Sequence, residues 1–437
     1  MRNRPATVAL VLALLAYPPV STAVEVERAS LFARATYGHA AEFDEPVMAE
    51  LELLPALTLS WSERLSVTAS LRLRVDGRDR LMPGEPALDT YSEASRPLAL
   101  GTAGTLEIRD LFVETVRDNR VIRLGKQQIA WGRLDGIKVL DLLNPRDFRE
   151  FILADLDESR IGLWSLYVDQ ALGNWRAELA VIPDPTGHAI PDSGAWFELR
   201  APRFRYGSET GVASPTVTTA TPGIEAGNTA VGIRLTRRFG RTGSSIVAYT
   251  GVDPEPLGRV VSQSSLPVLE RYYERQQAFG FSLERGAGPF VFRTEHVYFP
   301  DRRFNIRSDA QLATTRADNY RGALAVDASG PWDLFLNAQF LVDIARDAPA
   351  DLVRPRRDRI LTLFLGRSFD YDRLSAELRW YRSIGDDGSM TQFELGYRFR
   401  NGTRLVASLA KFRGQPGGLF GQFEGLGRVA LRIEHLF

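Results

Sequence analysis

The sequence predicts an all-β fold: one transmembrane antiparallel β-barrel of about 18 strands, with 16 the competing number, and an inward-folded third loop. Three observations predict it: long runs of strict two-residue period, regular alternation of short turns with long polar loops, and a last strand that stops on Phe437.

The composition removes competing classes. The 437 residues contain no cysteine, so disulfides, thiol catalysis and cysteine-ligated metal centres are excluded. With 54 basic and 54 acidic residues the chain has no net field for nucleic acid, and four histidines offer little for a metal site. Lys126, Lys138 and Lys411 are the only lysines, so the basic charge is almost all arginine.

Residues 1–23 read as a signal peptide. Arg2 and Arg4 precede the apolar run Val8 to Ala16, then come Pro18, Pro19 and the small residues Ser21, Thr22 and Ala23. The run is about half the roughly 20 residues that a spanning helix needs. No later stretch reaches that length without a charge, so residues 24–437 are expected to cross the membrane as strands.

From Leu65, the residues Leu65, Val67, Ala69, Leu71, Leu73 and Val75 alternate with Ser66, Thr68, Ser70, Arg72 and Arg74. One face is apolar and the other polar, as in a strand between lipid and a wet interior. The pattern recurs from Trp332 to Asp343, where Phe335 and Leu341 break the polar face, from Arg373 to Trp380, and from Thr391 to Arg400. Eight short turns are predicted near residues 62–63, 118–119, 173–174, 240–241, 286–288, 329–330, 370–372 and 401–402. Nine longer polar stretches alternate with them, at 39–47, 77–104, 132–160, 184–227, 252–275, 300–316, 344–357, 384–389 and 414–425. Seventeen connections imply the even strand number of a bacterial single-chain barrel. Both parities are mixed at the first strand, about Val26 to Tyr37, and at Leu106 to Trp131, and apolar inward positions in the second of these would fill the interior. The Thr-rich stretch 184–227 is poor in core-forming residues and reads as an external loop.

Val429, Leu431, Ile433, His435 and Phe437 share one parity. This resembles the terminal strand of outer-membrane barrels, and the resemblance implies recognition of Phe437 by the barrel-insertion machinery. Trp61, Trp175, Trp332 and Trp380 fall near strand ends, where interfacial girdles lie.

The polar parity places Arg72, Arg74, Arg234, Arg293, Arg321, Arg379, Arg398 and Arg432 in the lumen, along with Glu295, Asp327, Glu377, Glu394 and Glu434. Such a lining either favours anions or pairs across strands to hold the wall. In the third loop, Asn144-Pro145 reads as a helix start, with Phe148, Phe151 and Ile152 on one face. A short amphipathic helix needs an apolar surface, which an inward fold would supply.

The same stretch carries a family resemblance: Leu124-Gly125-Lys126-Gln127-Gln128, Trp131-Gly132, Asp135-Gly136, Val139-Leu140-Asp141, Asn144-Pro145, Asp147-Phe148-Arg149-Glu150 and Glu158-Ser159-Arg160. Together they resemble a recurrent block in a poorly characterised family of proteobacterial porin-like outer-membrane proteins. The resemblance implies passage or binding of small molecules. The general porin pattern, with a third loop narrowing the pore, sets Asp135, Asp141, Asp147 and Glu150 opposite the wall arginines as a constriction; the alternative is a structural plug.

No phosphate loop, dinucleotide fingerprint, metal motif or cofactor signature is present. His296 shares the lipid-facing parity, but no serine partner for it can be named, so no enzyme is expected. The expected function is an outer-membrane channel or porin for small anionic or amphipathic solutes. Two alternatives stand beside it: a conduit for a hydrophobic or polymeric substrate with periplasmic partners, and a closed structural or binding barrel. Expected partners are the lipid bilayer, the insertion machinery, small-molecule solutes, and a periplasmic protein or further copies of the chain.

Overall fold

The computed structural model describes residues 24–42, 45–79, 88–206, 216–262, 268–308 and 311–437; the signal-peptide reading lies outside them. Eighteen strands form the wall. They are β1 (Glu25–Ala40), β2 (Pro46–Ser62), β3 (Leu65–Asp76), β4 (Gly104–Arg117), β5 (Arg120–Gln127), β6 (Leu163–Leu172), β7 (Trp175–Ile182), β8 (Ala230–Phe239) and β9 (Thr242–Val252). Then follow β10 (Arg275–Ala287), β11 (Phe290–Ser308), β12 (Gln311–Ser329), β13 (Leu334–Arg346), β14 (Arg357–Phe369), β15 (Leu374–Ser383), β16 (Ser389–Arg398), β17 (Arg404–Arg413) and β18 (Arg428–Leu436). Each pairs antiparallel with its neighbours, and β1 closes on β18 from Phe32↔Leu436 to Ala40↔Arg428. Closure leaves no free edge, so every wall amide can pair without water.

The apolar parity faces outward. Leu71 is 41% exposed and its neighbour Arg72 only 3%, the reverse of a soluble core and the order a lipid solvent demands. Val429, Leu431 and Ile433 repeat this on the last strand, where Phe437 exchanges backbone hydrogen bonds with Leu31. All eight predicted short turns connect strands at one end of the barrel.

The mixed parity after Leu106 has a local cause. Ser70 pairs with Asp110 and Leu71 with Ile108, so Arg109 is an extra residue in β4. A bulge of one residue exchanges the faces. Ile108 is outward before it and Val113 after it. The mixture in β4 is therefore a register shift, and the inference of a filled interior from that strand is corrected.

Three other expectations are corrected. The described residues of the stretch 300–316 are strand and not loop: β11 runs to Ser308 and β12 starts at Gln311, past a register shift between Phe299 and Arg302. Its polar residues are satisfied by the neighbouring loop, with Arg302 2.8 Å from both Asp253 and Glu255, and Asn305 Nδ2 donating to Gly258 O at 2.8 Å. The described part of 184–227 does contribute to a core, since Phe197 is fully buried against Phe412 and Phe423.

No helix begins at Asn144-Pro145. The Asn144 side chain accepts from Ile129 N at 2.8 Å and donates to Ile161 O at 2.7 Å, clamping the loop's base instead of capping a helix. Phe151 takes φ +54°, and the only helix in the loop is Leu156–Ser159.

Candidate functional site

The third loop, 128–162, leaves the wall after β5 and crosses the lumen. Trp131, Leu134, Val139 and Leu140 are buried against inward residues of the wall, among them Val247, Val297, Phe299, Ala323, Leu341 and Ile360. Leu341, which broke the polar face of its strand, is part of this landing surface. Each fully buried side chain contributes on the order of 1.5–3 kcal/mol. Two glycines make room: a Cβ on Gly232 would lie 2.6 Å from the Trp131 ring, and one on Gly280 would lie 2.5 Å from Leu140. Glu295 of β11 accepts backbone N–H groups of Arg133 at 2.5 Å and Leu140 at 2.9 Å.

Beyond this anchor the loop forms a partition. The extended segment 146–148 bridges Arg160 on one side and Ala189 of the fourth loop on the other. Asp147 N donates to Ser159 O at 2.7 Å, Phe148 N to Ala189 O at 2.9 Å, and Arg146 N to His188 Nδ1 at 3.0 Å. Successive side chains of an extended segment point to opposite sides. Arg146 and Phe148 therefore line one cavity of about 380 Å³, with Asp135, Ile137, Phe335, Asn337, Phe364, Arg379 and Tyr381. Phe335 and Phe364 lie toward the short-turn end of their strands. Asp147 and Arg149 face a void of about 40 Å³ that shares Asp89, Ile190, Pro191 and Asp192 with a second cavity of about 370 Å³ among the long loops.

Ion pairs bind the partition to the wall. Asp147 lies 2.9 Å from Arg74, which also reaches Glu52 at 3.3 Å. Glu150 pairs with Arg428, and Arg149 pairs with Glu50. Asp135 is 3.6 Å from Arg293, which also pairs with Glu284 and Asp327. Asp141 is held within the loop by Arg160 at 2.8 Å. Among the wall arginines, Arg72 pairs with Glu107, Arg234 with Glu178, Arg321 with Asp343 at 2.6 Å, and Arg379 with Asp155 at 2.7 Å. Arg432 lies 3.2 Å from Glu394. Arg398, expected in the lumen lining, is the exposed last residue of β16 at the short-turn end, away from the partition.

Sequence reasoning missed Arg146, Arg149, Arg428 and His188. Among the described residues no ion pair or side-chain hydrogen bond reaches the Arg146 guanidinium, although it lines the larger cavity. Burial and the nearby Arg160 and Arg321 lower its pKa against the opposing pull of Asp141. Burial raises the Asp147 carboxyl, but Arg74, Arg149 and Arg72 outweigh it and hold the group at about 2. Glu150 is likewise raised by burial and brought down to about 2 by Arg428 and Arg149. His188 is pushed down to about 3 by burial, with Glu255 opposing. Among the described residues no cluster of three or more metal-ligating side chains occurs.

A closed barrel with lipid-facing apolar strands and a lumen crossed by its third loop is a barrel of the outer-membrane porin type. The chain belongs to the DUF1302 family, a family of proteins of unknown function, which it matches over residues 99–418. Among solved structures it is similar to OccK1 (OpdK) of Pseudomonas aeruginosa, at 11% identity and TM-score 0.51, covering 94% of this chain and 98% of that one. It is similar at TM-score 0.50 and 11% identity to OpdK with vanillate, covering 94% and 98%, and to OccK2 (OpdF) of the same organism in complex with glucuronate, covering 94% and 97%. No curated protein sequence matches the chain.

Proposed function

We propose that this chain is an outer-membrane channel that passes small anionic, amphipathic solutes by diffusion, with the third loop as its selective partition. One observation carries the reading: the cavity on the short-turn side sets Arg146, whose guanidinium has no ion pair among the described residues, among Ile137, Phe148, Phe335 and Phe364. A monocarboxylate with an apolar or aromatic body fits both halves of that lining, because a desolvated guanidinium and aromatic faces complement the charged head and the ring. The vanillate and glucuronate bound in the OpdK and OccK2 structures are carboxylates too.

The test is single-channel recording of the refolded chain across a salt gradient, with benzoate added as a probe. Steady openings, an anion-shifted reversal potential and transient block by benzoate support the reading. A silent bilayer from folded protein overturns the open channel in favour of a closed binding barrel or a conduit that needs a periplasmic partner or further copies of the chain.

The chain acts without catalysis in this reading. His296 on the outer face meets Thr294 Oγ1 and the Tyr320 hydroxyl, both at 2.7 Å, and stacks on Phe281. Thr294 Oγ1 donates to Ala323 O at 2.8 Å, so its proton is directed away from the imidazole that a base would need. Lipid hydrolysis lost on His296→Ala in a folded barrel would contradict this. Phe437, 68% exposed beside His435, is proposed as the insertion signal, and Phe437→Ser should slow membrane insertion of the chain.

A further inference from the structure

Three successive short turns, at 173–174, 240–241 and 286–289, carry no acidic residue. Around them the outer face of the barrel ends in a cluster of arginine and aromatic side chains. Arg237 has the outward parity of Ile233 and Phe239, and its guanidinium lies 4.9 Å from the Trp175 ring centre and 4.7 Å from that of Phe239. Its Nε is buried with no hydrogen-bond partner among the described residues. Arg285 continues the outward row of Phe281 and Leu283 and stands in register with Phe292. Arg241 is exposed in the turn between them.

Among the described residues none of these three arginines has a carboxylate within ion-pair distance. The nearby acids face inward and are engaged, Asp169 by Arg176 and Glu284 by Arg293 at 3.3 Å. Arg237 lies opposite Ser244, and Ser244 opposite Leu283. Arg237 and Arg285 are thus two strands apart, about 10 Å sideways.

A guanidinium resting on aromatic rings at the edge of a lipid-facing surface is partly dehydrated but not neutralised. A phosphate oxygen pair supplies the missing bidentate acceptor, and the adjoining row of Phe281, Leu283 and Ile233 offers a surface for acyl chains. A soluble anion would use only the charges; a lipid uses both. We propose that this patch binds the headgroup phosphate of an anionic glycerophospholipid.

Trp175 provides a reporter inside the patch. The full chain is reconstituted in phosphatidylethanolamine vesicles containing either brominated phosphatidylglycerol or brominated phosphatidylethanolamine at equal mole fraction. The Trp175 signal is obtained by difference from Trp175→Phe. Stronger quenching by the brominated phosphatidylglycerol is expected. The triple change R237Q/R241Q/R285Q should lower that preference at least about fivefold, and Arg400→Gln, on a distant turn, should leave it intact. Should the triple variant fail to fold, Arg241→Gln alone, an exposed turn position, should still reduce the preference. Equal quenching by the two lipids overturns the proposal, as does a preference that survives the arginine changes or is abolished by inorganic phosphate. None of these readouts depends on conductance.

Discussion

Trp131 rests on Gly232: the ring edge of the loop tryptophan occupies the space where a Cβ on the wall glycine would stand, 2.6 Å from Cη2. The third loop is therefore seated by a wall that has given up side chains to receive it. Gly232→Val should displace the loop, at an overpacking cost of about 1–3 kcal/mol. The expected outcome is a lower urea midpoint and a larger single-channel conductance. Gly243→Val on the adjacent strand, where a Cβ would meet nothing within 4 Å, should change neither.

Glu295 holds the same loop by its backbone. It is 1% exposed, and its two carboxylate oxygens accept one N–H each from Arg133 and Leu140. Glu295→Leu leaves both donors unpaired, with a charged hydrogen bond worth about 1.5–3 kcal/mol. Faster trypsin cleavage at Arg133 or Lys138 in the folded barrel is expected, with Glu295→Gln intermediate. Unchanged cleavage would mean that the apolar anchor alone fixes the loop.

The wall was legible in the sequence because its physics is periodic. Leu65 to Val75 face lipid on one parity, and no tertiary detail is needed to see it. What the sequence concealed was set by contacts far along the chain. The bulge at Arg109 shifts one strand against its neighbour and leaves no mark beyond a scrambled parity. Asn144-Pro145 has the local chemistry of a helix start, yet the hydrogen bonds of Asp147 and Phe148 to Ser159 and Ala189 override it. The acids Asp135, Asp147 and Glu150 could be named as loop residues facing arginines. Arg428 as the partner of Glu150 could not, because 278 residues separate them.

Arg146 gives the solute prediction its sharpest form. Arg146→Met keeps the bulk and the backbone bridge but removes the cavity cation that has no ion pair among the described residues. A charge-assisted bond of about 1.5–3 kcal/mol corresponds to roughly a 10- to 100-fold weaker block by benzoate. The conductance in chloride alone should stay nearly constant, since the ion pairs of the partition are untouched. Phe148→Ala should weaken benzoate more than acetate, because only the aromatic probe uses that wall.

Acid should loosen the partition in two separable windows. The His188 imidazole accepts the Arg146 N–H and has a folded pKa of about 3 against an ordinary 6.5. Its neutral form is favoured by folding, so its contribution is complete above about pH 6.5 and is lost progressively as the pH falls toward 3. Asp147 and Glu150 are held at about 2 against ordinary values of 3.8 and 4.5. Their pairs with Arg74 and Arg428 are complete above about pH 4.5 and weaken only below it. The urea midpoint should therefore fall gently from pH 6.5 and steeply below 4.5. His188→Asn, whose amide oxygen can still accept the Arg146 N–H, should flatten the upper slope alone. Asp147→Asn should lower the midpoint at neutral pH, where Arg74 keeps only Glu52 as a carboxylate partner, and should reduce the lower step. A midpoint that is constant down to pH 4.5 in the unsubstituted chain would show that the His188 bond does not hold the loop.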